Sequence, residues 1–100
     1  MTYRAPLGDM QFVLQHWLRA ERDWQGMPAF AEVDLALAGQ VLEEAARFTG
    51  EVLAPLNTPG DRQGCRLVDG EVLTPDGFAA AYRAYVDGGW PALALSLIHI

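Results

Sequence analysis

The sequence is short of cysteine, and Cys65 is its single example. One cysteine excludes a disulfide within the chain and a zinc site built from several thiolates. The same shortage fits a reducing compartment, so we predict a cytoplasmic location. No signal peptide is apparent, because the apolar run Phe12–Leu14 is too short for one.

Basic residues are also scarce. The chain has no lysine, and its 7 basic and 13 acidic side chains give a net charge of −6. Nucleic acids and anionic membrane surfaces attract basic proteins, so we expect neither as a partner of this acidic chain. No stretch approaches the roughly 20 consecutive apolar residues that a membrane-spanning helix needs. We therefore expect no membrane span.

Apolar residues are plentiful, at 51 % of 100 residues, which is enough for one small folded domain. The longest periodic segment is Leu35–Asn57, where apolar residues recur at intervals of three and four. Such spacing predicts an amphipathic core helix. Asp34 is a suitable N-cap, and Pro55 predicts that the helix ends at Ala54.

Two further helices are predicted, one on each side of this segment. Asp9 is a suitable cap for a helix over residues 10–22. Thr74-Pro75 places a capping residue and a proline where the last helix begins, and Gly88-Gly89 ends it. The last helix is expected to bury an apolar stripe formed by Phe78, Tyr82, Tyr85 and Val86.

Between the central and last helices the pattern changes. Residues 57–64 contain two glycines and a proline, which predicts a polar loop. Asp69-Gly70 is a dipeptide typical of tight turns, so a hairpin is predicted over Cys65–Leu73. The predicted fold class is therefore mainly α, with one small β-hairpin near residues 65–73.

Residues that often carry chemistry lack suitable neighbours. His16 has no ligand-type residue one helical turn further on, so a structural or exposed role is predicted. Cys65 is flanked by Arg62 and Arg66, but no histidine is near it in sequence to act as a base. We interpret Cys65 as a small side chain at the mouth of the hairpin.

Other patterns also favour structural roles. Glu43 and Glu44 point about 100° apart on a helix, which predicts a solvated face, and Glu43 has the spacing of an ion pair with Arg47. The glycines of residues 60–64 lack the strand, helix and lysine of a phosphate loop. The tryptophans are interpreted as core or subunit contacts: Trp17, Trp24 and Trp90. We thus predict no catalytic, cofactor-binding or metal-binding residue.

The last six residues differ from the rest. The only serine, Ser96, and both isoleucines, Ile98 and Ile100, lie together in Leu95–Ile100, and His99 lies there too. This break in composition predicts that residues 95–100 are a non-native tail. The alternative is a true hydrophobic C-terminal strand, which in a free chain would favour aggregation.

Several segments in order resemble a known family. The opening Tyr3–Leu14, YRAPLGDMQFVL, is similar to the start of a subgroup of acyl-CoA dehydrogenases that carry an extra N-terminal segment and are related to 3-methylmercaptopropionyl-CoA dehydrogenases. The resemblance covers residues 2–94 and includes the segments VLEEAARF (41–48), EVLAPLN (51–57), GDRQGCR (60–66) and GGWP (88–91). The opening and the APLN-to-GDRQGC block are specific in combination.

The resemblance implies a longer parent enzyme with helical, β and helical domains. That enzyme is implied to oxidise an acyl-CoA thioester to the 2,3-enoyl-CoA with FAD. It is implied to pass electrons to an electron-transfer flavoprotein and to form a homo-oligomer. Residues 1–33 would be the N-terminal extension with one helix, and residues 34–94 the start of the helical domain.

The resemblance also implies that the catalytic base and the main flavin-binding segments lie beyond residue 100. The chain alone is therefore expected to be structural and inactive, and not to bind FAD. After Gly89-Trp90-Pro91, relatives continue into a glycine-rich stretch, so we expect the natural reading frame to continue past Ala94. Two alternatives stay open: a free-standing helical interaction module that docks through Trp90 and the tail, and an enzyme that depends on Cys65.

Overall fold

A computed structural model describes residues 3–94. The chain divides into two compact units, Met1–Glu51 and Val52–Ile100. The predicted domains, 1–33 and 34–94, concern a longer protein and stay predictions. The predicted non-native tail, residues 95–100, lies outside the described residues.

The first unit is helical. Its elements are α1 (Leu7–Phe12), a π-helical turn (Val13–Trp17), α2 (Ala20–Gln25), a 3₁₀ turn (Pro28–Phe30) and α3 (Leu35–Phe48). The predicted continuous helix over residues 10–22 is wrong, because Arg19 has a φ of 50° and this left-handed residue separates two helices. Asp9 is also not the N-cap: it lies in the first turn of α1, and Pro6 precedes that turn.

Two carboxylates hold the start of α3. Asp34 Oδ1 accepts a hydrogen bond from the Leu37 backbone N–H at 2.8 Å, which confirms the predicted cap. Glu21 Oε2, from α2, accepts one from the Leu35 backbone N–H at 2.9 Å. The first N–H groups of a helix have no partner within it, and negative charge is favourable at that end. The two bonds therefore stabilise α3 and fasten α2 to its first turn.

The stripe of α3 is only partly removed from water. Leu35, Leu42 and Phe48 are half-buried. On the polar side, Arg47 Nη1 lies 3.1 Å from Glu44 Oε1, so the predicted pairing of Arg47 with Glu43 is wrong. Both spacings bring side chains together on a helix, and the pair formed is exposed, so it contributes little.

The predicted end of the helix at Ala54 is also wrong. Helical conformation continues through a π-helical turn (Thr49–Leu53) into α4 (Ala54–Gln63). Pro55 lies in the first turn of α4, directly after the π-helical turn, and the fixed φ of proline suits a helix. Pro59 lies further inside α4. Most of the predicted polar loop is therefore helical.

The second unit also contains β1 (Arg66–Val68), β2 (Glu71–Leu73), α5 (Phe78–Asp87) and a 3₁₀ turn (Trp90–Ala94). The strands are antiparallel, with Leu67 opposite Val72. Asp69 and Gly70 have φ values of 52° and 81°, both positive as a type I′ turn requires. The predicted hairpin, and with it the mainly α fold class, is confirmed.

The last helix begins later than predicted. Thr74-Pro75 is not helical, and Gly77, with a φ of 88°, immediately precedes α5. The Phe78 backbone N–H donates to the Pro75 carbonyl at 3.2 Å, which closes a turn at this point. The predicted end is confirmed, since α5 stops before Gly88 and Gly89 has a left-handed φ of 80°.

Two glycines allow α4 and α5 to approach closely. A Cβ atom at Gly60 would lie 2.6 Å from Phe78 Cζ, and one at Gly77 would lie 2.8 Å from Leu56 Cδ2. Both distances are shorter than van der Waals contact. Only glycine leaves room for the Phe78 ring and the Leu56 methyl groups at these positions.

Polar contacts hold the loop before α5. Gln63 Oε1, at the end of α4, accepts a hydrogen bond from the Asp76 backbone N–H at 2.7 Å. Arg66 Nη2, in β1, lies 3.4 Å from Asp76 Oδ1. The residues around Asp76 thus connect α4, the hairpin and α5 within the second unit.

Few apolar side chains are buried. Among residues 3–94, the buried hydrophobic residues are Ala20 in the first unit and Ala81 in the second, each 7 % exposed. The predicted buried stripe of α5 is wrong: Tyr82 is 68 % exposed, and the other three members are also exposed. Three of the four members, Phe78, Tyr82 and Tyr85, border an open groove.

The cap of α3 can be tested by substitution. Asp34→Ala removes the acceptor for the Leu37 N–H and is expected to lower the free energy of unfolding by about 1 kcal/mol. Asp34→Asn keeps an acceptor oxygen and should lose less. Urea titration followed by helical circular dichroism measures both, and equal losses would contradict the role of the hydrogen bond.

The close contact at Gly60 gives a second prediction. Gly60→Ala is expected to lower the free energy of unfolding by about 1 kcal/mol, because its Cβ displaces the Phe78 ring. In a Phe78→Ala background the same change should instead stabilise by up to about 1 kcal/mol, since alanine favours helix.

Gly8→Ala is the matched control in urea titrations. A Cβ at Gly8 meets nothing within 4 Å, so this substitution in α1 should be neutral or stabilising. Additive effects of Gly60→Ala and Phe78→Ala would contradict the contact.

Candidate functional site: an apolar groove in the second unit

An open groove of about 360 Å³ lies beside α5. Six apolar or aromatic side chains and one amide line it: Leu53, Leu56, Asn57, Phe78, Ala81, Tyr82 and Tyr85. The rings of Tyr82 and Tyr85 have centroids 6.4 Å apart. A volume of this order is at the lower end of the roughly 300–1,000 Å³ typical of ligand sites.

The spacing of the lining residues explains the groove. Leu53, Leu56 and Asn57 are three and four residues apart, so they share one side of the helical turns. Phe78 and Tyr82 are spaced in the same way on α5. The small side chain of Ala81 leaves a recess between the larger ones.

The lining has apolar character and no charged group. Its polar atoms are the amide of Asn57 and the phenol groups of two tyrosines. Acid–base catalysis by a carboxylate or imidazole therefore has no candidate among these residues. The groove is suited to hold apolar groups, with Asn57 able to donate and accept a hydrogen bond.

The groove does not fit FAD. The pyrophosphate of a dinucleotide is usually bound by backbone N–H groups at a helix N-terminus or by basic side chains. The lining contains neither arginine nor lysine, and the backbone N–H groups of Phe78 and Ala81 already donate to the carbonyl oxygens of Pro75 and Gly77. No step of flavin chemistry is assigned to these residues.

The sequence-predicted candidates are not among the residues that line the groove. His16 is exposed in the first unit, where its ring centroid lies 5.3 Å from that of Phe12. Cys65 is exposed just before β1. Within residues 3–94, no group of three or more His, Cys, Asp or Glu side chains is arranged to hold a metal ion. The predicted lack of site residues stays a prediction.

The remaining candidates are also on the surface. Glu43 and Glu44 are exposed, as predicted for a solvated face. Trp17 is 76 % exposed, so it is not a core residue, and its alternative interpretation as a subunit contact stays a prediction. Trp24 and Trp90 are half-buried. In the described part of the chain, no helix is long and apolar enough to cross a membrane.

Sequence reasoning did not find the groove. The apolar stripe of α5 is typical of a core-facing helix, and Pro55 predicts the end of a helix, so the pattern does not predict the second wall of the groove. The spacing of Leu53, Leu56 and Gly60 across Pro55 was the available signal.

Comparison with known proteins confirms the resemblance to acyl-CoA dehydrogenases. The chain aligns over 97 residues with the 3-methylmercaptopropionyl-CoA dehydrogenase of Ruegeria pomeroyi. The identity is 41 %, and the alignment covers 94 % of the chain. The chain spans only 16 % of the length of that relative. No family model matches the chain.

The exposed thiol gives a test of the Cys65-dependent alternative. Cys65→Ser is expected to change the free energy of unfolding by less than about 0.5 kcal/mol, as for other exposed positions. Any activity found for the protein should also be unchanged by the substitution, with the unsubstituted protein as control. A loss of activity with unchanged stability would favour a chemical role for Cys65.

Proposed function

We propose that this chain is the N-terminal part of a longer acyl-CoA dehydrogenase. The longer protein uses FAD to oxidise an acyl-CoA thioester to the 2,3-enoyl-CoA and passes the electrons to an electron-transfer flavoprotein. Residues 3–94 have a structural role in it and do not themselves carry out the reaction.

The alignment is the observation that carries this proposal. Identity of 41 % extends over 94 % of the chain, so the similarity is not confined to one motif. The low share of the relative that is matched, 16 %, supports the view that most of the enzyme lies outside these residues.

The exposed apolar surface supports the same proposal. Trp17, Leu67 and Tyr82 are each at least two-thirds exposed, at 76 %, 75 % and 68 %. Large apolar side chains in contact with water are typical of a surface that another part of the protein covers. The charge-free lining of the groove supports a structural role for this chain.

The proposal includes a location and an assembly. We place the longer protein in the cytoplasm, as a homo-oligomer without nucleic-acid partners. The single cysteine is consistent with a reducing compartment. The net charge of −6 disfavours binding to nucleic acid.

The test uses the natural reading frame past Ala94. The longer protein, purified from its own gene, is expected to contain FAD by its absorption spectrum and to reduce an electron acceptor when given an acyl-CoA. The chain of 100 residues should contain no flavin.

Two results would contradict the proposal. One is a stop codon directly after Ile100 in genomic DNA, which would favour a free-standing interaction module. The other is near-stoichiometric flavin in the chain of 100 residues. Size-exclusion chromatography of the longer protein tests the proposed homo-oligomer.

A further inference from the structure

The groove beside α5 is held open by its own contacts. The ring of Phe78 lies against the backbone of Gly60, and the side chain of Leu56 lies against Gly77. These contacts fix two of its walls, while Tyr82 remains 68 % exposed. The recess is therefore formed before anything fills it.

Its size and lining define what it can receive. A cavity of roughly 150 Å³ holds a benzene ring, so a groove of about 360 Å³ has room for about two large side chains. The apolar lining favours aliphatic or aromatic groups, and Asn57 adds one hydrogen-bonding position. An amphipathic helix offers such side chains one turn apart.

We propose that the groove receives two apolar side chains from an amphipathic helix of the longer polypeptide, outside residues 1–100. This inference rests on the proposed function. We expect the helix to come from the same polypeptide, because the chain spans only 16 % of the length of its relative. The rest of a polypeptide of that length is available to supply the helix.

A second copy of this chain is a poorer occupant. A symmetric dimer brings the same patch of both copies together, so the two recesses would face each other. Two concave surfaces leave the space between them unfilled, whereas protein interfaces pack nearly as densely as protein interiors. A convex helix face fills the recess.

Thiol labelling tests this in a Cys65→Ser background, which removes the native thiol. Tyr82→Cys places a thiol in the groove, and Val72→Cys places one on the hairpin as a control. The two positions are matched, since both side chains are 68 % exposed. The rate of reaction with a maleimide is measured in the chain of 100 residues and in the longer protein.

Both thiols should react at similar rates in the short chain. In the longer protein, Tyr82→Cys should react at least about tenfold more slowly at every protein concentration, and Val72→Cys should change less than about threefold. Equal rates for Tyr82→Cys in the two proteins, or equal protection of both positions, would overturn the inference. If protection of Tyr82→Cys in the short chain rises with protein concentration, a second copy occupies the groove, and the inference is overturned as well.

Acyl-CoA oxidation by the same longer protein separates the two proposals. If the longer protein oxidises acyl-CoA but its thiol at position 82 reacts with the maleimide as fast as in the short chain, the groove inference alone is overturned. Protection without activity would support the groove inference and contradict the proposed dehydrogenase function.

Discussion

Removal of apolar surface from water is the main source of folding stability, and the described part of this chain removes little of it. Full burial of a large apolar side chain contributes about 1.5–3 kcal/mol. Trp17, Leu67 and Tyr82 contribute little of this kind, because most of each side chain remains in water. The buried hydrophobic residues among 3–94 are two alanines, so specific local contacts must hold the elements in place.

Those contacts differ between the two units. In the first, carboxylates of Glu21 and Asp34 bind the free N–H groups at the start of α3. In the second, Gly60 allows the Phe78 ring to lie against the helix backbone, and the Asp76 backbone N–H binds the side chain of Gln63. These contacts position side chains accurately, but they do not cover the apolar faces. A structure of this kind is suited to be one part of a larger protein.

The family resemblance carried most of the functional prediction, and side-chain chemistry carried little. His16 and Cys65 are exposed, and the groove has no charged lining residue. The sequence segments that resemble acyl-CoA dehydrogenases are therefore informative about ancestry rather than about reacting groups. By the same resemblance, we expect the reacting groups of the proposed longer protein to lie outside these residues.

Local features were predictable from the sequence alone. The Asp69-Gly70 turn and the Asp34 cap depend on backbone groups only one to three residues away, so their residue types were sufficient. The course of α4 through two prolines and the open face of α5 were not predictable in this way. They depend on contacts such as Gly60 with Phe78, between residues distant in sequence. Only the tertiary structure decided that the stripe of α5 borders a groove, because burial is a property of neighbours that the periodicity of one helix does not specify.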